Sequence, residues 1–163
     1  MHQKSGQKFA IKKVKIRKVE NSLPKELLRE VETIETIKAN SNCNLEEFGL
    51  VDIKEVYVGK TTFNIVSSPY VKDGDLHDFL KSIYAPDSRT VLTFDDSLNI
   101  VRQLSKALNV MHSSGLMHRD LKPSNVLINK SNLKVYLCDY GQTRVDLVGG
   151  NYLDENENKD EEL

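Results

Sequence analysis

The chain has no tryptophan, two cysteines, four prolines and no apolar run near the ~20 residues of a membrane-spanning helix. Each shortage closes off a class of function. Cys43 and Cys138 fit no metal-ligand spacing and cannot build a disulfide scaffold, so two free thiols are expected. Charge of one sign is also missing: 23 basic and 24 acidic residues leave a formal net charge of −1, without the basic excess of a nucleic-acid binder. The opening stretch MHQKSGQKF lacks the apolar core of a secretory leader. Neither nucleic acid nor membrane is therefore an expected partner, and the expected location is intracellular, in cytoplasm or nucleus. A length of 163 residues suffices for one ordinary core.

Charge does gather at one end. Residues 154–162 hold six acidic side chains and one lysine, so 151–163 is expected to be a disordered acidic tail. The final Lys159-Asp160-Glu161-Glu162-Leu163 superficially matches an endoplasmic-reticulum retention signal. Its extra glutamate, and the lack of a leader, reject that reading.

The rest is patterned. Phe9 to Ile16 alternates apolar and basic residues, as a strand does. Ser22 and Pro24 suit a helix start. Leu27, Val31, Ile34 and Ile37 then form an apolar stripe, with Glu30 beside Leu27 and Ile34 at i−3 and i+4, facing inward. Two short strands are expected around 50–58 and 62–67, joined at Gly59-Lys60. Gly74 and Asp75 lead into a helix. Thr93 and Asp96 form a capping box for a second one, whose inward residues Ile100, Leu104, Leu108 and Met111 run to a terminal Gly115. Residues 126–128 and 135–137 read as a hairpin that aims Asn125 and Asp139 at a common point.

His118-Arg119-Asp120-Leu121-Lys122-Pro123-Ser124-Asn125 puts a carboxylate, an ammonium and an amide within six positions. Phosphoryl transfer needs this set: an Asp for the attacking hydroxyl, a cation for the transferring group and an oxygen ligand for a metal. Asp139-Tyr140-Gly141 follows fourteen residues later as a second metal-binding candidate. With Phe9-Ala10-Ile11-Lys12 and Leu28-Arg29-Glu30-Val31, these motifs resemble serine/threonine protein kinases, within them the cyclin-dependent-kinase-like group. The resemblance covers roughly residues 5 to 145. It implies an α+β protein-kinase-like fold, with an upper part over about 5–70 and a lower part over 71–150.

The same resemblance assigns roles. Lys12, paired with Glu30, would hold the phosphates of ATP; Lys13, on the opposite face, should take no part. Asp120 would act on the acceptor hydroxyl and Lys122 on the γ-phosphoryl charge. Lysine two places after the aspartate is the serine/threonine form. Asn125 and Asp139 would ligate Mg²⁺. Ala10 and Leu127 would sandwich adenine against the connector Pro69-Tyr70-Val71. Ser68 would guard the rear of the pocket and, being small, leave it open. Asp75 either contacts ribose or caps its helix. Cys138 would line the cleft as an inert thiol. His118 and Tyr140 would stack near Ile34, the tyrosine hydroxyl needing a partner, and Arg119 would meet a phosphorylated activation-loop residue. The implied partners are a protein with a Ser or Thr acceptor and, loosely, a cyclin-like activator against the Glu30 helix.

Two parts of the pattern have no counterpart. No glycine-rich phosphate loop lies before Ser5-Gly6-Gln7, and Gly149-Gly150 is not a displaced one. No activation-segment ending follows Gly141. A kinase domain is one large unit of roughly 250–300 residues, so a domain truncated at both ends is expected. Two functional readings stay open: a kinase, or a catalytically silent scaffold binding a partner through the Glu30 helix.

Overall fold

The computed structural model describes residues 6–15, 24–41, 44–89 and 91–145. Ile16, Ser22, Cys43, Gly149-Gly150 and the acidic segment 151–163 lie outside these residues. The architecture is α+β: a three-stranded antiparallel sheet with one helix, followed by two helices and short strand pairs.

Strand β1 (Ala10–Lys15) pairs with β3 (Thr62–Ser68), and β3 with β2 (Asp52–Val58), giving the order β1-β3-β2. Pleating puts Ala10, Lys12 and Val14 on one face of β1. Val14 packs on the core, while Ile11 is 59% exposed on the other face with Lys13 and Lys15. Pairing places Ala10 opposite Ser67 and Lys12 opposite Ile65. The β2–β3 register shifts between Ile53 and Glu55, leaving Lys54 as an extra residue.

Helix α1 (Lys25–Asn40) buries Leu27, Glu30, Thr33, Ile34 and Ile37, the face its spacing predicts with Thr33 added and Val31 only partly covered. Pro24 is its N-cap and gives no side-chain cap, because proline carries no side-chain acceptor for the free amides of the first turn. Helix α2 (Leu76–Ile83) is capped by Asp75, whose carboxylate accepts from the Asp78 amide. Helix α3 (Phe94–Ser113) opens on the reciprocal Thr93–Asp96 capping box. It buries Ile100, Ala107 and Met111, with Leu104 and Leu108 partly covered. Gly115 closes it with φ at 71°, where any side chain would be strained.

Beyond α3 lie β4 (Leu116–Met117), a 3₁₀ turn at Pro123–Asn125, the hairpin β5 (Val126–Asn129) and β6 (Lys134–Leu137), and β7 (Arg144–Val145). β7 returns to pair with β4, a contact of two-residue strands too short to read from sequence. The hairpin is tied to α3 by Gln103, which accepts from the Val135 amide and donates to the Leu133 carbonyl. One core runs from α1 and the sheet through α3 to the hairpin. Among the described residues, no helix is long and apolar enough to cross a membrane.

Candidate active site

The sheet and the hairpin face each other across a cleft of about 330 Å³. Lys12, Glu30, Ile65 and Ser67 line it on the sheet side; Asn125, Leu127, Cys138 and Asp139 line it from below. Lys12 Nζ contacts Glu30 Oε1 and lies 3.9 Å from Asp139 Oδ1. Burial opposes the Lys12 charge, but the Glu30 carboxylate, helped by Asp139, outweighs it and holds the pKa above that of an ordinary lysine. Burial in turn pushes the Glu30 carboxyl up, and Lys12 offsets this only in part. Lys13 sits opposite Asn64 on the strand and has no place in the cleft lining.

The lower wall is organised by short local bonds. Asp120 Oδ2 accepts from Lys122 Nζ at 2.7 Å and from Asn125 Nδ2 at 2.9 Å. These two donors, Lys122 foremost, hold the Asp120 carboxyl below its ordinary range, so it is ionised at neutral pH. Asn125 Nδ2 also donates to the Asp120 carbonyl at 2.8 Å. The Asp120 amide donates to His118 Nδ1 at 3.3 Å, which fixes the tautomer: Nε2–H donates to the Cys138 carbonyl at 3.1 Å. The His118–Asn125 and Asp139–Gly141 segments are thereby joined through one imidazole.

His118 meets the Tyr140 ring edge-on, with centroids 5.8 Å apart. Tyr140 is wholly buried in the core cluster with Ile34. Its hydroxyl finds two acceptors, the carbonyls of Val51 at 3.0 Å and Leu137 at 2.8 Å. Asp139 and Arg119 both adopt left-handed backbone, with φ of 65° and 64°, and both side chains are exposed. Gly141 lets the loop pass beneath α1, since a Cβ there would stand 3.2 Å from Glu26 Cβ.

Hard oxygen donors suit Mg²⁺, which keeps several waters and takes one or two protein ligands beside phosphate oxygens. Asp139 offers an exposed carboxylate. Asn125 lines the same cleft, and with its Nδ2 committed to Asp120 its Oδ1 is the atom it can offer a metal. The pair fits such an ion. Among the described residues there is no cluster of three or more His, Cys, Asp or Glu that could hold a metal unaided.

Several other positions need comment. Ser68 does not line the cleft: it is 1% exposed and its hydroxyl donates to Glu46 Oε1 behind the sheet. Ser67 takes the rear wall instead. It shares a sheet face with Ile65, and Ile65 stands opposite Lys12, so strand parity was the signal that identifies it. The connector Pro69-Tyr70-Val71 lines an adjoining cavity of about 270 Å³ with Tyr136 and Asn129. Leu127 lines the main cleft and pairs across the hairpin with Tyr136, which lines the other cavity. Ala10 stands beside the cleft, opposite Ser67, without forming its lining. Asp75 serves as the cap of α2. The Cys138 thiol, pushed up to about 12 by burial and by Asp139, is inert at neutral pH.

The sequence profile of the protein kinase domain matches residues 1–151. Cyclin-dependent kinase 20 of Danio rerio is 30% identical over 145 residues, covering 88% of this chain and 38% of that protein. Mitogen-activated protein kinase 2 of Arabidopsis thaliana is 30% identical over 158 residues, or 95% of this chain and 38% of that protein. Serine/threonine-protein kinase 1 of Heliothis zea nuclear polyhedrosis virus is 38% identical over 93 residues, 56% of this chain and 32% of that protein. The chain therefore spans well under half the length of these relatives. With residues 1–151 matched, this chain belongs to the protein kinase domain family.

Proposed function

We propose that the chain carries the catalytic core for phosphoryl transfer from ATP to Ser or Thr hydroxyls of proteins. The observation that carries this reading is Lys12, held between Glu30 and Asp139 in a cleft whose other wall holds Asn125, itself a donor to Asp120. ATP would supply the phosphoryl group, and Mg²⁺ at Asn125 and Asp139 would neutralise its charge. Lys12 would bind the nucleotide phosphates, kept cationic by Glu30. Asp120, ionised because Lys122 and Asn125 donate to it, would orient the acceptor hydroxyl and take its proton. Lys122 lies 2.7 Å from Asp120, close enough to meet charge developing on the transferred group. Ala10, Leu127 and the backbone of 69–71 would hold adenine, with Ser67 at the rear. Asp75 is left as a cap with ribose within its repertoire, and Arg119 as a ligand for a phosphorylated residue.

The division near residues 70 and 71, and a location in cytoplasm or nucleus, follow from the same reading. A cyclin-like activator against α1 is supported by the outward Leu28, 41% exposed, and by a relative whose name carries cyclin dependence. The test is transfer of labelled phosphate from ATP to a generic basic protein, with Asp120→Asn as the blank. Transfer should fall at least ~100-fold while binding of a fluorescent ATP analogue persists. Equal transfer by both proteins removes Asp120 from its role. Partner binding that survives Asp120→Asn in a chain with no transfer at all favours the scaffold instead.

A further inference from the structure

We propose that Asp52 is a positioning residue that sets where α1, and with it Glu30, sits against Lys12. The proposal rests on the reading of Lys12 as the phosphate-binding lysine and adds a second anchor to its partner helix.

Asp52 opens β2 and is buried, with a side chain 9% exposed. A buried carboxylate is tolerated only with cations against it, and Asp52 has one on each oxygen. Lys54 Nζ donates to Oδ2 at 2.6 Å. Lys38 Nζ, from α1, sits 2.9 Å from Oδ1 as a charge pair. Lys54 is the extra residue of the β2 bulge, a feature that re-aims a side chain; here it lies on the aspartate two positions back. Lys38 also reaches the Ile53 carbonyl at 3.4 Å, a second contact with the same strand.

The geometry says what the pair does. An apolar stripe holds a helix against a sheet by interlocking side chains, and charged contacts add the direction that the hydrophobic effect lacks. Leu27, Ile34 and Ile37 form the stripe. Point contacts between charges fix a position. Lys38 lies eight residues beyond Glu30, roughly 12 Å along the axis and about 80° round it. The Glu30–Lys12 and Lys38–Asp52 pairs therefore pin α1 at two separated places, one on β1 and one on β2. Losing the second leaves α1 free to roll about the first, which lengthens the Glu30–Lys12 contact.

The experiment follows Lys12 itself. The ε-carbon resonance of Lys12 is titrated in the full chain labelled with [ε-¹³C]lysine, without nucleotide, and assigned with Lys12→Arg. Glu30→Gln gives the titration of a Lys12 that has lost its partner. Asp52→Asn and Lys38→Met should shift Lys12 downward toward that reference, while Lys38→Arg, which keeps the charge, leaves it at the wild-type position. Should Asp52→Asn fail to fold, Lys38→Met, altered at a partly exposed side chain, makes the same measurement. Identical Lys12 titration in wild type, Asp52→Asn and Lys38→Met overturns the proposal. Binding of a fluorescent ATP analogue is read separately on the wild type: a wild type that binds no nucleotide, with Lys12 still shifted in the variants, upholds the positioning role and overturns the phosphate-binding reading instead.

Discussion

The two walls of the cleft are held together in different ways. On the sheet side, Lys12 and Glu30 are 18 residues apart and meet only because α1 packs where it does. On the hairpin side, Asp120, Lys122 and Asn125 lie within six positions and are fixed by bonds to their own backbone and to each other. The upper wall is adjustable, since any movement of a helix opens it. The lower wall is set as soon as its loop folds. The proposed transfer needs both, and the local bonds of the second should contribute to stability as well.

This contrast makes its largest prediction in Lys12→Met against Asn125→Ala. Lys12 is half-exposed, and burial already pushes the Glu30 carboxyl up, so Glu30 is more easily neutralised once its partner is lost. Losing Lys12 should cost phosphate transfer at least ~100-fold and move the thermal midpoint little. Asn125→Ala should lower both, since it removes two hydrogen bonds from the Asp120 segment at about 1 kcal/mol each. Equal midpoints for the two variants would erase the distinction between the walls. Next in size is a pair on neighbouring serines. Ser68→Phe overfills a buried site and should destabilise by about 1–3 kcal/mol. Ser67→Phe projects into the cleft and should instead block nucleotide-sized ligands in a binding assay. The reverse pattern would restore Ser68 to the rear wall.

Tyr140→Phe should cost about 1 kcal/mol in chemical denaturation, as it removes the hydroxyl donor shared by the Val51 and Leu137 carbonyls, the second of which keeps the Val51 amide. The smallest effect is a dependence on pH. Burial holds His118 below its ordinary value against the pull of the Cys138 carbonyl. On acidification the unfolded chain takes this proton first, so stability is full above the ordinary pKa of about 6.5 and declines as pH falls below it. The loss is at most about 1 kcal/mol at pH 6, and His118→Phe should remove that component from the denaturation profile. A second proton would also fall on Nδ1, which now accepts from the Asp120 amide, so acid loosens the lower wall at its hinge.

What the sequence made legible follows the same division. The lower wall was readable because its chemistry is contiguous: Asp120, Lys122 and Asn125 need no knowledge of distant packing. Glu30 was readable because helical spacing put it on the apolar stripe of α1. Ser67 was not, because the residue facing the cleft depends on strand parity, and a one-residue error flips the face. The β4–β7 contact and the Lys38–Asp52–Lys54 cluster stayed hidden for another reason. Two-residue strands carry no period, and a lysine or aspartate in a charged surface pattern looks the same whether paired or solvated.

Asp139 carries one further consequence. Its left-handed backbone, φ 65°, costs an ordinary L-residue roughly 1–2 kcal/mol that glycine would not incur. Asp139→Gly should therefore relax the turn while deleting the carboxylate that faces Lys12. Selection for endurance to heat alone would favour glycine here, and every clone that took it would lose this carboxylate.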